Sequence, residues 1–154
     1  MKTVFFDMDG TLAALFFVKG FKDALAKEDS TPYAIANPLF KADEMREIIT
    51  ALKADGWKIG IISYTGADCS AEFARETVEV KKAWLAKYFP YADDDEIHIV
   101  KPEISKTAFA KSADDILVDD SGKNRTEWEQ TGRTAINAYF RAKVPMIEAL
   151  KALL

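Results

Sequence analysis

The sequence predicts an α/β fold in which a central parallel sheet of five strands is covered by helices on both faces. Short apolar runs alternate with helical patterns along the chain, and this alternation is typical of strand–helix–strand units. Three of the runs are apolar at consecutive positions, as expected of strands that are buried on both faces. With 154 residues, 49% of them hydrophobic, the chain suits a single domain, residues 1–154, with a full core.

The predicted strands are the five short apolar runs, and each is bounded by polar or turn residues. They cover residues 3–6, 58–62, 97–100, 116–118 and 134–138. The helical patterns lie between and after them, at residues 42–54, 70–88, 106–111, 124–131 and 144–154. In the first of these helices, apolar side chains recur with helical spacing from Met45 to Leu52, and Gly56 follows its end. In the second, we expect the charged residues to be exposed.

Composition and charge exclude several classes of function. A net charge of −4, with acids and bases interspersed, argues against an extended basic surface for nucleic acid. The single cysteine, Cys69, and the single histidine, His98, exclude an intrachain disulfide, a cysteine-based zinc cluster and a histidine-based triad. No apolar run approaches the roughly 20 residues that cross a bilayer, and no leader pattern opens the chain. We therefore expect a cytoplasmic protein without a membrane partner.

Polar side chains follow three of the predicted strands. They are Asp7 and Asp9 after the first strand, Ser63 and Tyr64 after the second, and Asp119 and Asp120 after the fourth. Because the carboxyl ends of parallel strands lie along one edge of a sheet, we expect these groups to converge. Four carboxylates so close together repel one another, and Mg²⁺ is a cation that such oxygen ligands suit. The alternative is that the first pair of acids only ends its strand in a turn.

A basic residue is expected near these acids if they handle a phosphate group. Lys106 opens the predicted helix before the fourth strand, and Lys101, at the end of the third strand, is the rival. The sequence leaves this choice open. The acidic run at residues 93–96 precedes a strand, and we expect it to be a solvated loop rather than a metal site.

Taken in order, these motifs resemble the haloacid dehalogenase-like superfamily of phosphatases. The resemblance rests on "FFDMDGTLA" for the first motif, "IISYTG" for the second, Lys106 for the third and "ILVDDSGKN" for the fourth. It implies a three-layer, Rossmann-like fold, with residues 13–40 as a minimal cap-like insertion. It also implies Asp7 as the nucleophile and Asp9 as the general acid and base. Superfamily members that dehalogenate lack the second aspartate, so Asp9 favours phosphate chemistry.

The same resemblance implies roles for the remaining residues. Gly10 permits the tight turn, Thr11 holds the loop, and Lys106 neutralises charge on the nucleophile and the phosphate. The Ser63 hydroxyl and the Tyr64 backbone N–H bind the phosphate. The implied Mg²⁺ ligands are Asp7, the backbone carbonyl of Asp9, Asp119 and Asp120, the last directly or through water.

The short insertion bears on the substrate. An apolar and basic wall over the site could be formed by Phe16, Phe17 and Phe21 with Lys19 and Lys22. A small helix packed on the domain explains these residues at least as well. We expect a phosphomonoesterase acting on a small phosphorylated substrate, a nucleotide or a nucleic-acid end, somewhat like the small deoxyribonucleotidase branch. The alternatives are a phosphatase or phosphotransferase on a sugar phosphate or phosphoprotein, and a non-catalytic binding module.

Overall fold

The central sheet has the predicted five strands, all parallel. A computed structural model describes residues 1–154 and orders the strands β3-β2-β1-β4-β5. The strands are β1 (Lys2–Phe6), β2 (Trp57–Tyr64), β3 (Ile97–Val100), β4 (Ile116–Asp119) and β5 (Thr134–Asn137). The α/β class and the parallel five-stranded sheet are therefore confirmed.

Helices connect the strands in the order that the hydrophobic patterns predict. The α-helices are α1 (Phe21–Ala26), α2 (Thr31–Ile35), α3 (Ala42–Ala54), α4 (Ala71–Tyr88), α5 (Gly122–Glu129) and α6 (Met146–Lys151). Three short 3₁₀ turns cover Leu15–Phe17, Asp94–Glu96 and Lys106–Phe109. The insertion at residues 13–40 thus holds one 3₁₀ turn and two short helices.

The helices form a layer on each face of the sheet. Alternate residues of β1 point to opposite faces: Val4 and Phe6 join a core with side chains of α3, α4 and α6. Phe5, on the other face, packs with Leu117 of β4 and Trp128 of α5. The chain winds outward from β1 to β3, then returns to the other side of β1 to form β4 and β5. The strand order therefore reverses beside β1, and sites in such sheets form outside the carboxyl ends of the strands at this point.

Several boundaries differ from prediction for local reasons. Strand β2 continues through Ser63 and Tyr64, because both residues pair with β3. The predicted helix at 106–111 is only a 3₁₀ turn, Lys106–Phe109. The last helix is shorter than predicted and begins after Pro145, whose extended backbone (ψ 145°) precedes the first turn.

The acidic run at residues 93–96 is exposed at Asp94 and Asp95, as predicted, but the prediction is wrong for Glu96. Glu96 is buried, and its carboxylate bonds the Lys111 ammonium at 2.6 Å and His98 Nε2 at 3.3 Å. Asp93 accepts a hydrogen bond from the Ile59 backbone N–H at 2.8 Å. These acids therefore anchor the start of β3 to its neighbours. No helix of the protein is both long enough and apolar enough to cross a membrane.

Candidate active site

Two neighbouring strands, β1 and β4, bring the predicted acids to one edge of the sheet. Asp7 follows β1 directly, and its backbone N–H donates to the carbonyl of Val118 in β4 at 2.9 Å. Asp119 is the last residue of β4, and Asp120 follows it. Carboxylate oxygens of Asp7, Asp119 and Asp120 lie within 4.8 Å of one another. The convergence expected from the strand ends is present in the structure.

Lys106 is the lysine that reaches this cluster. Its Nζ donates to Asp7 Oδ1 at 2.6 Å and to Asp119 Oδ2 at 2.7 Å, and its side chain is 2% exposed. Lys101, the rival, is exposed and forms no salt bridge. Burial opposes the charge on Lys106, but the carboxylates of Asp7 and Asp119 outweigh it, so the pKa of Lys106 lies above its ordinary value.

The first and fourth motifs are joined by the Thr11 hydroxyl. Thr11 Oγ1 lies 3.2 Å from Asp7 Oδ2 and 3.2 Å from Asp120 Oδ1, and accepts from the Asp120 backbone N–H at 3.1 Å. One hydroxyl proton therefore serves two carboxylates. Gly10 has φ +84°, and a Cβ there would overlap Asp120 Oδ2 and the Phe16 ring. A glycine is thus required in this turn for both its backbone angle and its lack of a side chain.

The acids of the cluster are hard to ionise together. Burial raises the pKa of Asp120 to about 7, and the charges of Asp7 and Asp119 add to the effect. Burial and the charge of Asp7 also raise the pKa of Asp119, although Lys106 opposes them. In the metal-free protein, neighbouring negative charge and burial therefore both favour the protonated carboxyl groups.

This donor set fits a divalent cation. Lys106 pairs with Asp7 and Asp119, and Lys81 pairs with Asp9. If all four carboxyl groups, including Asp120, were ionised, these two ammonium groups would leave two negative charges uncompensated. Asp120 Oδ2 accepts no hydrogen bond from the protein and lies against Gly10. Carboxylate oxygens with this excess of negative charge are the ligands that Mg²⁺ prefers.

Two residues of α5 that we did not predict hold Asp119 in place. Asn124 Nδ2 donates to Asp119 Oδ2 at 3.0 Å, and Arg125 donates to the Asp119 carbonyl at 2.9 Å. The Ser121 backbone N–H donates to Asp119 Oδ1 at 2.8 Å. Ser121 is also the N-cap of α5, where its hydroxyl accepts from Asn124 N–H. The cap explains why this helix starts directly beside the cluster.

Asp9 lies apart from the cluster and pairs with Lys81, which the sequence did not predict as a site residue. Lys81 Nζ donates to Asp9 Oδ2 at 2.6 Å, to the Tyr64 carbonyl at 2.7 Å and to Ser63 Oγ at 3.0 Å. Its side chain is 1% exposed, which corrects our expectation that the charges of this helix are solvated. The available signal was its place on the buried stripe of α4, between Thr77 and Trp84.

Two residues of the second motif, Ser63 and Tyr64, are connected to Asp9 through Lys81. Ser63 is fully buried and accepts from Lys81, so its own proton remains free to donate. Tyr64 offers its backbone carbonyl to Lys81, and its hydroxyl donates to the Ile104 carbonyl at 2.8 Å. Its ring lies 5.2 Å from Lys106 Nζ. The direct phosphate contacts expected of these two residues stay predictions.

An aromatic cluster borders the acids on the side of Asp120. The exposed rings of Phe16 and Phe17, from the insertion, face those of Tyr139 and Phe140, which follow β5. Phe17 and Phe140 pack edge to face at 5.3 Å between ring centroids. With Gly10, Ala14, Leu39 and Asp120, these rings line a cavity of about 200 Å³. The insertion therefore supplies half of an apolar wall beside the carboxylates, and the other half comes from the end of β5.

Comparison with models of protein families found no match for this sequence, and no curated protein matched it. The functional interpretation therefore rests on the motif resemblance and on the geometry of the site.

Proposed function

We propose that this protein is a Mg²⁺-dependent phosphomonoester hydrolase of the haloacid dehalogenase-like superfamily that works through an aspartyl-phosphate on Asp7. One observation carries the proposal. Asp7 and Asp9 are two residues apart, yet each bonds a different buried lysine, and only Asp7 belongs to the three-carboxylate cluster. Two carboxylates in such different surroundings can take different chemical roles.

The proposed Mg²⁺ site consists of Asp7, Asp119 and Asp120, together with the Asp9 carbonyl implied by the family resemblance. When bound, Mg²⁺ would offset the negative charge of these carboxylates and of the phosphate. Asn124 and Arg125 keep Asp119 oriented, and Thr11 does the same for Asp120.

In the first step, a carboxylate oxygen of Asp7 forms a bond to phosphorus as the bond from phosphorus to the leaving oxygen breaks. Asp9 gives its proton to that oxygen, so the product leaves as an alcohol. Lys106 contacts Asp7 at 2.6 Å and carries a firmly held positive charge beside the reacting groups.

In the second step, water attacks phosphorus and releases Asp7 from the aspartyl-phosphate. Asp9, now a carboxylate, accepts a proton from that water, which restores the starting protonation state. The Asp9 side chain is 22% exposed, whereas that of Asp7 is 10% exposed and that of Asp119 is 0% exposed. This exposure supports a role in exchanging protons with substrate and water.

The aromatic cluster favours a nucleotide or a nucleic-acid end as the substrate. Aromatic side chains stack on nucleobases, each contributing roughly 1–3 kcal/mol in single-strand complexes. Here Phe17 is 64% exposed and Phe140 is 53% exposed, so their ring surfaces are open to a ligand. Phe16 and Tyr139 are exposed as well, and the cavity that these four rings line includes Asp120. A planar group could therefore lie on these rings while its phosphate reaches the acids.

The decisive experiment is phosphate release by the purified protein with Mg²⁺ and with EDTA. We expect turnover only with Mg²⁺, and Asp7→Asn should abolish it without altering the circular dichroism spectrum. The exposed Asp114→Asn is the matched control and should keep wild-type turnover. Protein-bound radiolabelled phosphate, trapped by acid quench from wild type and absent from Asp7→Asn, would support the intermediate. Wild-type turnover by Asp7→Asn would refute the mechanism.

A panel of phosphomonoesters tests the substrate class. Nucleoside monophosphates and oligonucleotides with a terminal phosphate should give the highest kcat/KM. Activity confined to sugar phosphates or phosphopeptides would contradict the nucleotide assignment while leaving the mechanism intact. Saturable binding of phosphate esters with no turnover in Mg²⁺ would instead indicate a binding module.

A further inference from the structure

Lys81 is a lysine buried in the body of a helix, and its ammonium group is fully used. Its three protons bond Asp9 Oδ2 at 2.6 Å, the Tyr64 carbonyl at 2.7 Å and Ser63 Oγ at 3.0 Å. The Tyr33 ring lies 4.6 Å from Nζ. A buried ammonium is strongly unfavourable unless it is paired and hydrogen-bonded, and here it meets both conditions.

The contacts of Lys81 single out one acid. It forms a salt bridge with Asp9 and with no other carboxylate, whereas Lys106 bonds Asp7 and Asp119. Only Oδ2 of Asp9 is engaged, and Oδ1 accepts no hydrogen bond from the protein. Since the Asp9 side chain keeps 22% exposure, Oδ1 is the oxygen left for another molecule.

We propose that Lys81 is a positioning residue for the phosphatase reaction: it holds Asp9 by Oδ2, so that Oδ1 faces the leaving oxygen and then the attacking water. This inference rests on the proposed function. The same ammonium fixes Ser63, whose oxygen accepts from Lys81 and whose proton must therefore point elsewhere. The Lys81 ammonium thus bonds a residue of the first motif, Asp9, and a residue of the second motif, Ser63.

The inference makes a prediction about leaving groups. Alkyl phosphates need a proton on the departing oxygen, whereas p-nitrophenyl phosphate releases a stable anion that needs little help. Positioned acid–base catalysis contributes about 10²–10⁴-fold. In Lys81→Met we therefore expect formation of the aspartyl-phosphate to slow by about 10²-fold with an alkyl phosphate and by less than about tenfold with p-nitrophenyl phosphate.

Rapid-mixing kinetics separate the two steps. Because Asp9 also activates water, Lys81→Met should hydrolyse the intermediate slowly. With p-nitrophenyl phosphate, it should release a burst of one nitrophenolate per protein molecule before slow turnover. With an alkyl phosphate, no burst of alcohol should appear. Equal slowing of the first step for both substrates would overturn the inference, since a general structural defect does not distinguish leaving groups.

The neighbouring lysine provides the matched control. Lys82 is exposed on the same helix, and Lys82→Met should behave as wild type with both substrates. If wild type releases no phosphate, the proposed function fails. If wild type is active and Asp9→Asn is slow, but Lys81→Met matches Lys82→Met, the inference about Lys81 alone fails.

A double variant keeps the test available if Lys81→Met does not fold. In Asp9→Asn/Lys81→Met, neither partner of the pair is charged, so no unpaired charge is buried. If Lys81 acts through Asp9, this variant should form and hydrolyse the intermediate at the rates of Asp9→Asn alone. A further loss of about tenfold or more relative to Asp9→Asn would show a role independent of Asp9 and would overturn the inference.

Discussion

Asp120→Asn should stabilise the metal-free protein, because it removes a charge that the fold tolerates poorly. Burial, with the charges of Asp7 and Asp119, raises the pKa of Asp120 from 3.8 to about 7. The folded protein then binds this proton more tightly than the unfolded chain does. The free energy of unfolding should therefore fall as the pH rises from the unfolded value to the folded one.

The size of the effect follows from the shift. Three pKa units correspond to about 4 kcal/mol at about 1.4 kcal/mol per unit. Asp120 keeps some exposure to solvent, and the neighbouring acids can take up protons in its place, so we expect about 1–2 kcal/mol from one substitution. For a protein of this length, this difference raises Tm by about 2–8 °C.

The assay is thermal unfolding in EDTA at about pH 5 and about pH 8, followed by the same melts in Mg²⁺. Asp120→Asn should exceed wild type most at the higher pH. Mg²⁺ should raise the Tm of wild type more than that of the variant, since one ligand is lost. Asp114→Asn, an exposed acid, should show no pH-dependent difference from wild type. A variant that melts below wild type in EDTA at the higher pH would refute the argument that the carboxylates repel.

Three further predictions concern the lysine, the sheet and the aromatic wall. Lys106→Met should lower kcat at least about 10²-fold and destabilise the fold by about 3–5 kcal/mol, because two buried carboxylates lose their partner. The control, Lys101→Met, should change neither phosphate release nor the urea midpoint by much. Gly60→Ala should lower the free energy of unfolding, measured in urea, by about 1–3 kcal/mol, since the added methyl group would overlap a phenylalanine ring of β1. A stability equal to wild type would contradict this packing. The double variant Phe17→Ala/Phe140→Ala should raise the KM for a nucleotide about tenfold or more and leave the KM for a sugar phosphate unchanged, because only a base can stack on the rings. An equal increase in KM for both substrates would contradict base stacking.

The strands and the acids at their ends were predictable because both depend on local sequence. A buried parallel strand is apolar at successive positions, and the polar residue that follows it marks the carboxyl end of the strand. This is why Asp7 and Asp119 could be placed together from the sequence. The contacts of Lys106, rather than Lys101, required the structure, because either lysine is close enough along the chain.

Lys81 was missed because a charged residue in an amphipathic helix is ordinarily expected to face solvent. Its burial depends on Asp9, which lies seventy-two positions earlier and supplies the partner charge. Glu96 was misjudged for a similar reason, since its charge is paired with Lys111, which lies fifteen positions later in the loop before β4. A hydrophobic pattern indicates which face of a helix or strand is buried. It does not indicate where a long-range ion pair allows a charged side chain to be buried on that face.

The loop between Asp7 and Asp9 explains how two neighbouring acids obtain separate surroundings. The Met8 carbonyl accepts from the backbone N–H groups of Leu12 at 2.9 Å, Ala13 at 2.9 Å and Thr11 at 3.1 Å, which closes the turn on itself. The Met8 side chain is 1% exposed and belongs to the main core. With this residue anchored between them, Asp7 meets Lys106 and Asp9 meets Lys81. A turn that fixes both carboxylates before any substrate arrives is preorganised, so neither acid has to find its partner during the reaction.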